Sequence, residues 1–121
     1  MINERHAEST KLQLIQAVRL LASNPDVQAE YVQRLGVGPD EIALEFDDAF
    51  RRAVGAAGMG LLPDEMVKIT QPLGEQLQRM TESQEDIWSE VGMMSSTEWG
   101  VLRTLATRAM EGISKLTDNP T

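Results

Sequence analysis

From Trp99 to Leu116 the apolar residues return every three or four positions: Trp99, Leu102, Leu105, Ala106, Ala109, Met110, Ile113 and Leu116. A helix of 3.6 residues per turn gathers such a set onto one side, whereas a strand would scatter it over two faces. The same period recurs through most of the chain, and no stretch alternates long enough to read as a strand. The sequence therefore predicts an all-α fold, a compact single-domain bundle of five to six helices. Residues 1–116 form the expected domain, and 117–121 a frayed C-terminal tail.

Punctuation by Pro, Gly and capping residues divides this pattern. The first helix is predicted from Glu4 to Ala22, with Leu14, Ile15, Val18, Leu21 and Ala22 facing inward. Ser23-Asn24-Pro25 ends it and begins the second, with Asn24 as cap and Pro25 in the first turn. That helix is expected to bury Val27, Tyr31 and Leu35 and to stop at Gly36. A third starts at Pro39, carries Asp40 and Glu41 at its positive end, and buries Ile42, Phe46, Ala49, Phe50 and Ala53. Gly55, Gly58 and Gly60 are read as ending it. A fourth begins at Pro63 and keeps the stripe Met66, Ile69, Leu73, Leu77 and Met80 across Pro72, which predicts a kink there, with a break as the alternative. Ser83-Gln84-Glu85-Asp86 has capping-box spacing and is expected to open a short helix with Ile87, Trp88 and Val91. Ser95-Ser96-Thr97-Glu98 is a better box and opens the last helix.

With 121 residues the chain can bury a core unaided, and with few aromatics that core must be mainly aliphatic. The sequence contains no cysteine, so disulfides, thiolate metal sites and a cysteine nucleophile are excluded. MINERHAESTK has no apolar run behind its charges and does not read as a signal peptide. No segment approaches the roughly 18 apolar residues of a membrane span. A cytoplasmic protein is the corresponding expectation. The 19 acidic and 11 basic residues give a net charge of −8. That sign disfavours direct contact with nucleic acid or an anionic membrane and favours a basic protein partner.

A search for reactive groups yields little. His6 is the single histidine, which excludes a histidine relay with partners of its kind or a multi-histidine zinc site. Gly55-Ala56-Ala57-Gly58-Met59-Gly60 lacks both the Lys-Ser/Thr and the strand-to-helix setting of a phosphate loop. Asp47-Asp48 is half of an aspartate-rich magnesium motif, but Arg51 stands where another acid is needed. The i,i+4 pairs Asp47/Arg51 and Asp48/Arg52 explain it better as surface ion pairs. No catalytic residue, metal or cofactor is therefore assigned, and the chain is not read as an enzyme. Trp88 and Trp99 lie in apolar stripes and are assigned to the core.

What remains is acid in two places. Asp40, Glu41, Glu45, Asp47 and Asp48 crowd one segment, and Glu82, Glu85, Asp86 and Glu90 another. On a helical wheel Leu44 falls among the first group, away from the Ile42/Phe46/Ala49 stripe. Glu41, Leu44, Glu45, Asp48, Glu85, Asp86 and Glu90 are the candidate partner-binding residues.

The segments DVQAEYVQRLGVGPDEIALEFDDAF and IWSEVGMMSSTEWGVLRTLATRAM resemble a group of small helical hypothetical bacterial proteins. The resemblance spans most of residues 12–116 and implies a helical fold and a bacterial origin. At the level of class alone, the chain is similar to acidic cytoplasmic immunity proteins, which plug toxin active sites. That likeness implies a non-catalytic inhibitor of a basic toxin domain such as a nuclease. A helical adaptor or homodimer built on the last helix is the alternative, followed by a phage-type acidic inhibitor.

Overall fold

The two long amphipathic segments near the beginning and end of the sequence meet in space. In the computed structural model, which describes residues 2–83 and 86–118 and the side chains of 5–83 and 86–117, α1 (Ile2–Ala22) packs along α6 (Thr97–Asp118). Between them come α2 (Pro25–Leu35), α3 (Asp40–Gly58), α4 (Asp64–Thr81) and α5 (Glu90–Ser95). Among the described residues the fold is all-α, with six helices and no strand. Contacts of α1 with α3, α3 with α4, α4 with α6 and α6 with α1 close a four-helix ring. The short α2 and α5 join ring helices at one end and touch each other there.

The core is drawn from the stripes the periodicity required, with Ile15, Ala22, Ile69, Leu105, Met110 and Leu116 packed half-buried against it. Leu14, Val18, Leu21, Ile42, Phe46, Met66, Leu73, Met80, Trp99, Leu102 and Ala106 are all buried. Trp99 is fully enclosed, its indole N–H donating to the Ile87 carbonyl at 2.6 Å and its ring edge-on to Trp88, 5.7 Å away. Pro72 lies inside one uninterrupted helix, so the break alternative does not occur. Gly112 lets α6 approach α4, since a Cβ there would stand 3.2 Å from the Ile69 side chain.

Several sequence expectations shift. The first helix begins at Ile2, two residues before the expected start, and the last runs to Asp118, into the first two residues of the expected tail; 119–121 lie outside the described residues. Gly55 and Gly58 belong to α3, and the left-handed turn falls at Gly60 (φ 75°). The buried face of α2 is Gln28 and Val32; Val27 and Leu35 are about half exposed and Tyr31 is half-buried. Asn24 makes no side-chain cap bond. The short helix opens at Ser89, whose Oγ accepts from the Gly92 N–H at 3.0 Å, not at Ser83. Ile87 and Trp88 therefore precede α5, and Val91 is 76% exposed. The cap of α6 is Ser96, one residue beyond the expected Ser95, accepting from the Trp99 N–H at 3.3 Å.

The physical cause of the α2 correction is a polar seam. The Gln28 amide donates to the carbonyls of Leu20 and Leu21 at 3.0 and 3.2 Å. Its oxygen accepts from Arg103 Nε at 2.8 Å, and Arg103 Nη2 also donates to the Met93 carbonyl. One buried amide thus ties α2 to the end of α1 and to α6, and its arginine partner reaches α5. No buried side-chain nitrogen or oxygen among the described residues lacks a partner. Partial burial lowers the Arg103 pKa.

Candidate protein-interaction site

Helix α3 carries the acidic residues and sorts them by angle. At 100° per residue, Glu41, Glu45 and Asp48 share one face, while Asp40, Leu44, Asp47 and Arg51 share the next. Asp40 and Glu41 occupy the first turn, where carboxylates complement the helix dipole. Arg51 pairs with Asp47 at 2.9 Å, and Arg52 sits 4.0 Å from Asp48. All four side chains are at least half exposed, so each pair contributes a few tenths of a kcal/mol.

The Glu41/Glu45/Asp48 face turns toward α1 and α2. The Tyr31 hydroxyl donates to Glu45 Oε1, and Arg52 Nη1 donates to Gln13 Oε1 at 3.0 Å. Glu45, Asp48 and Arg52 thereby wall an open cavity of about 430 Å³ floored by Ala17, Leu20 and Ala49. Burial, the hydrogen bond to Glu45 and the charges of Glu45 and Glu41 push the Tyr31 phenol up to about 12. The ordinary value is about 10, so the unfolded chain ionises first as pH rises. This phenol's contribution to stability is complete below pH 10 and is lost between about pH 10 and 12.

The neighbouring face opens onto a different surface. Leu44 is 55% exposed and stands at the rim of a groove between α3 and α4, with a volume of about 680 Å³. Ala43, Phe50, Gly74, Leu77 and Trp88 also line it, with Asp40, Asp47, Arg51, Gln78 and Thr81 among the polar edges. Phe50 is held there by stacking on buried Phe46, centroids 5.6 Å apart, and Trp88 by its contact with Trp99. Both are half-buried rather than interior. The sequence pattern assigned them to the core because a stripe reveals which side of a helix is apolar, not how far a neighbour covers it.

The second acidic group is not continuous with the first. Glu85 lies outside the described residues. Asp86 is exposed ahead of α5, and Glu90, in its first turn, accepts from the Gln33 amide. Tyr31 and Gln33, two residues apart, point to nearly opposite sides of α2. One meets Glu45 and the other Glu90, so α2 stands between the two acidic faces. Leu44 shares its groove with Asp40 and Asp47, whereas Glu45 and Asp48 border the other depression.

His6 is exposed on α1, and among the described residues no three His, Cys, Asp or Glu side chains converge as a metal site requires. No helix among them is long and apolar enough to cross a membrane. Comparison with protein-family models, with curated proteins and with solved structures finds no match.

Proposed function

We propose that this chain is a non-catalytic binding protein that neutralises a basic protein partner, as an immunity or antitoxin-like inhibitor neutralises a toxin domain. The observation that carries the reading is the acidic side of α3, where half-buried Glu41 and Glu45 and exposed Asp48 share one face, with exposed Leu44 on the adjoining face. Long-range attraction from a chain of net charge −8 accelerates encounter with a cation-rich surface, and an adjoining apolar contact slows release. A nuclease domain, whose own site must attract phosphate, offers such a surface.

The test starts with the partner recovered on the immobilised chain, identified and purified. Association is then followed at low and high salt with the native chain and with a Glu41→Lys/Glu45→Lys/Asp48→Lys variant. The reading expects at least tenfold slower association for the variant and a steep fall with salt in the native chain. Binding that ignores both charge reversal and salt would overturn it, as would a partner of acidic surface.

A further inference from the structure

We infer that the α3–α4 groove is a receptor for a short amphipathic helix of the partner, bearing an apolar anchor row and cationic flanks. This deepens the function proposed above and rests on it.

The first argument is geometric. The α3 residues that line the groove run from Asp40 to Arg51, about 16 Å of helix or three turns. A segment lying along it must satisfy its own backbone N–H and C=O groups, because helical walls offer no free ladder edge as a sheet would. An extended segment would have to keep its backbone groups turned to water, whereas a helix brings them already paired. Anchors at i, i+4 and i+7 would then meet the apolar lining, Leu44, Phe50, Leu77 and Trp88, on the two sides of the groove.

The second argument is charge. The groove is closed at one end by Asp40, in the first turn of α3, and by Gln78 and Thr81 near the end of α4; the opposed ends of the two helix dipoles offset one another there, and the Asp40 carboxylate sets the sign. Gln78, on the groove wall, donates to Glu82 at 3.2 Å and so holds a further carboxylate beside it. Arg51 is the one lining cation, and Asp47 neutralises it at 2.9 Å. A cationic segment is therefore favoured and an acidic one is repelled. The same sign opposes a second copy of this chain as occupant.

The test uses a synthetic helix of about four turns with Leu at i, i+4 and i+7, Lys at its flanks and Ala elsewhere. A control peptide has the same composition with its leucines spread around the helix. Trp88 reports occupancy by fluorescence, since Trp99 is fully enclosed. Two variants alter opposite walls without touching the core. Leu44→Gln removes the exposed apolar contact while keeping charge and helix propensity. Gly74→Leu fills the groove from α4, where an added Cβ meets nothing within 4 Å.

The amphipathic peptide should bind saturably, at least tenfold tighter than the control, and lose at least tenfold in each variant. Equal binding of both peptides, or peptide binding unchanged in both variants, overturns the groove. So does sedimentation showing a native dimer that Leu44→Gln disperses, because the occupant is then a second copy. Charge reversal at Glu41, Glu45 and Asp48, on the other face, is read against the purified partner. Its outcome bears on the inhibitor reading and leaves the groove result separate.

Discussion

Two parts of this molecule treat polarity in opposite ways. Where α1, α2, α5 and α6 meet, an amide and a guanidinium are drawn into the interior and every buried polar atom is matched. Along α3 and α4, leucine, phenylalanine and tryptophan side chains are left open to water. A fully matched polar seam has nothing left to offer a ligand, and its directional bonds fix where two short helices sit. An uncovered apolar groove adds little to the fold beyond what Phe46 and Trp99 already secure, and retains contact energy for another molecule. The contrast separates residues that hold the molecule together from residues free to act outward.

The strongest way to break that division is at the core wall the two regions share. Trp99→Ala should lower stability by about 3–5 kcal/mol in urea denaturation, as deletion of a buried large aromatic does. A change under about 1 kcal/mol would mean that Trp99 is not the wall it forms here.

A smaller effect is expected in the seam. Arg103→Leu leaves the Gln28 oxygen and the Met93 carbonyl short of a donor, and should cost about 1–3 kcal/mol. Combined with Gln28→Ala, the loss should fall short of the sum by more than about 0.5 kcal/mol, since the two share a bond. Strict additivity would dissolve the seam into independent contacts.

The groove should give the smallest response. Leu44→Gln is expected to melt like the native chain, within about 0.5 kcal/mol, because an exposed side chain contributes little to folding. A larger loss would place Leu44 with the structural residues and erase the contrast.

The sequence was most readable where period and burial coincide. Ile42, Phe46, Ala49 and Ala53 repeat at helical spacing and are all buried, and so are Trp99, Leu102, Ala106, Ala109 and Ile113 of the α6 stripe, with Leu105, Met110 and Leu116 half-buried at its edges. Reading failed where burial depends on hydrogen bonds. Hydropathy places Gln28 outside and Val27 and Leu35 inside, yet the Gln28 amide donates to the Leu20 and Leu21 carbonyls at the end of α1, the former also accepting from the Ser23 N–H. The Ser83 box had acceptable spacing, whereas Ser89 has Gly92 three residues on and no box, so the pattern pointed to the wrong serine. Gly92 was the available signal, because a Cβ there would meet the Asp86 carbonyl oxygen at 2.5 Å. The helix must start where that close approach is possible. For the candidate site, exposure of Leu44 was legible from its wheel position. The groove beside it was not, since it exists only where α4 and Trp88 come alongside.

The contact between α1 and α6 has a consequence for how the chain acquires its structure. Emerging in order of synthesis, α1 through α4 present Leu14, Leu21, Met66 and Leu73 before the last helix arrives to cover them. Closing that ring brings together residues about a hundred positions apart, a search whose entropic cost rises with separation but only logarithmically. Folding is therefore completed late, once Trp99 through Ile113 are free to dock. Until then the nascent chain carries sticky, half-lined surfaces that invite chaperones or self-association. A truncation that removes α6 should leave an aggregating fragment rather than a smaller working domain.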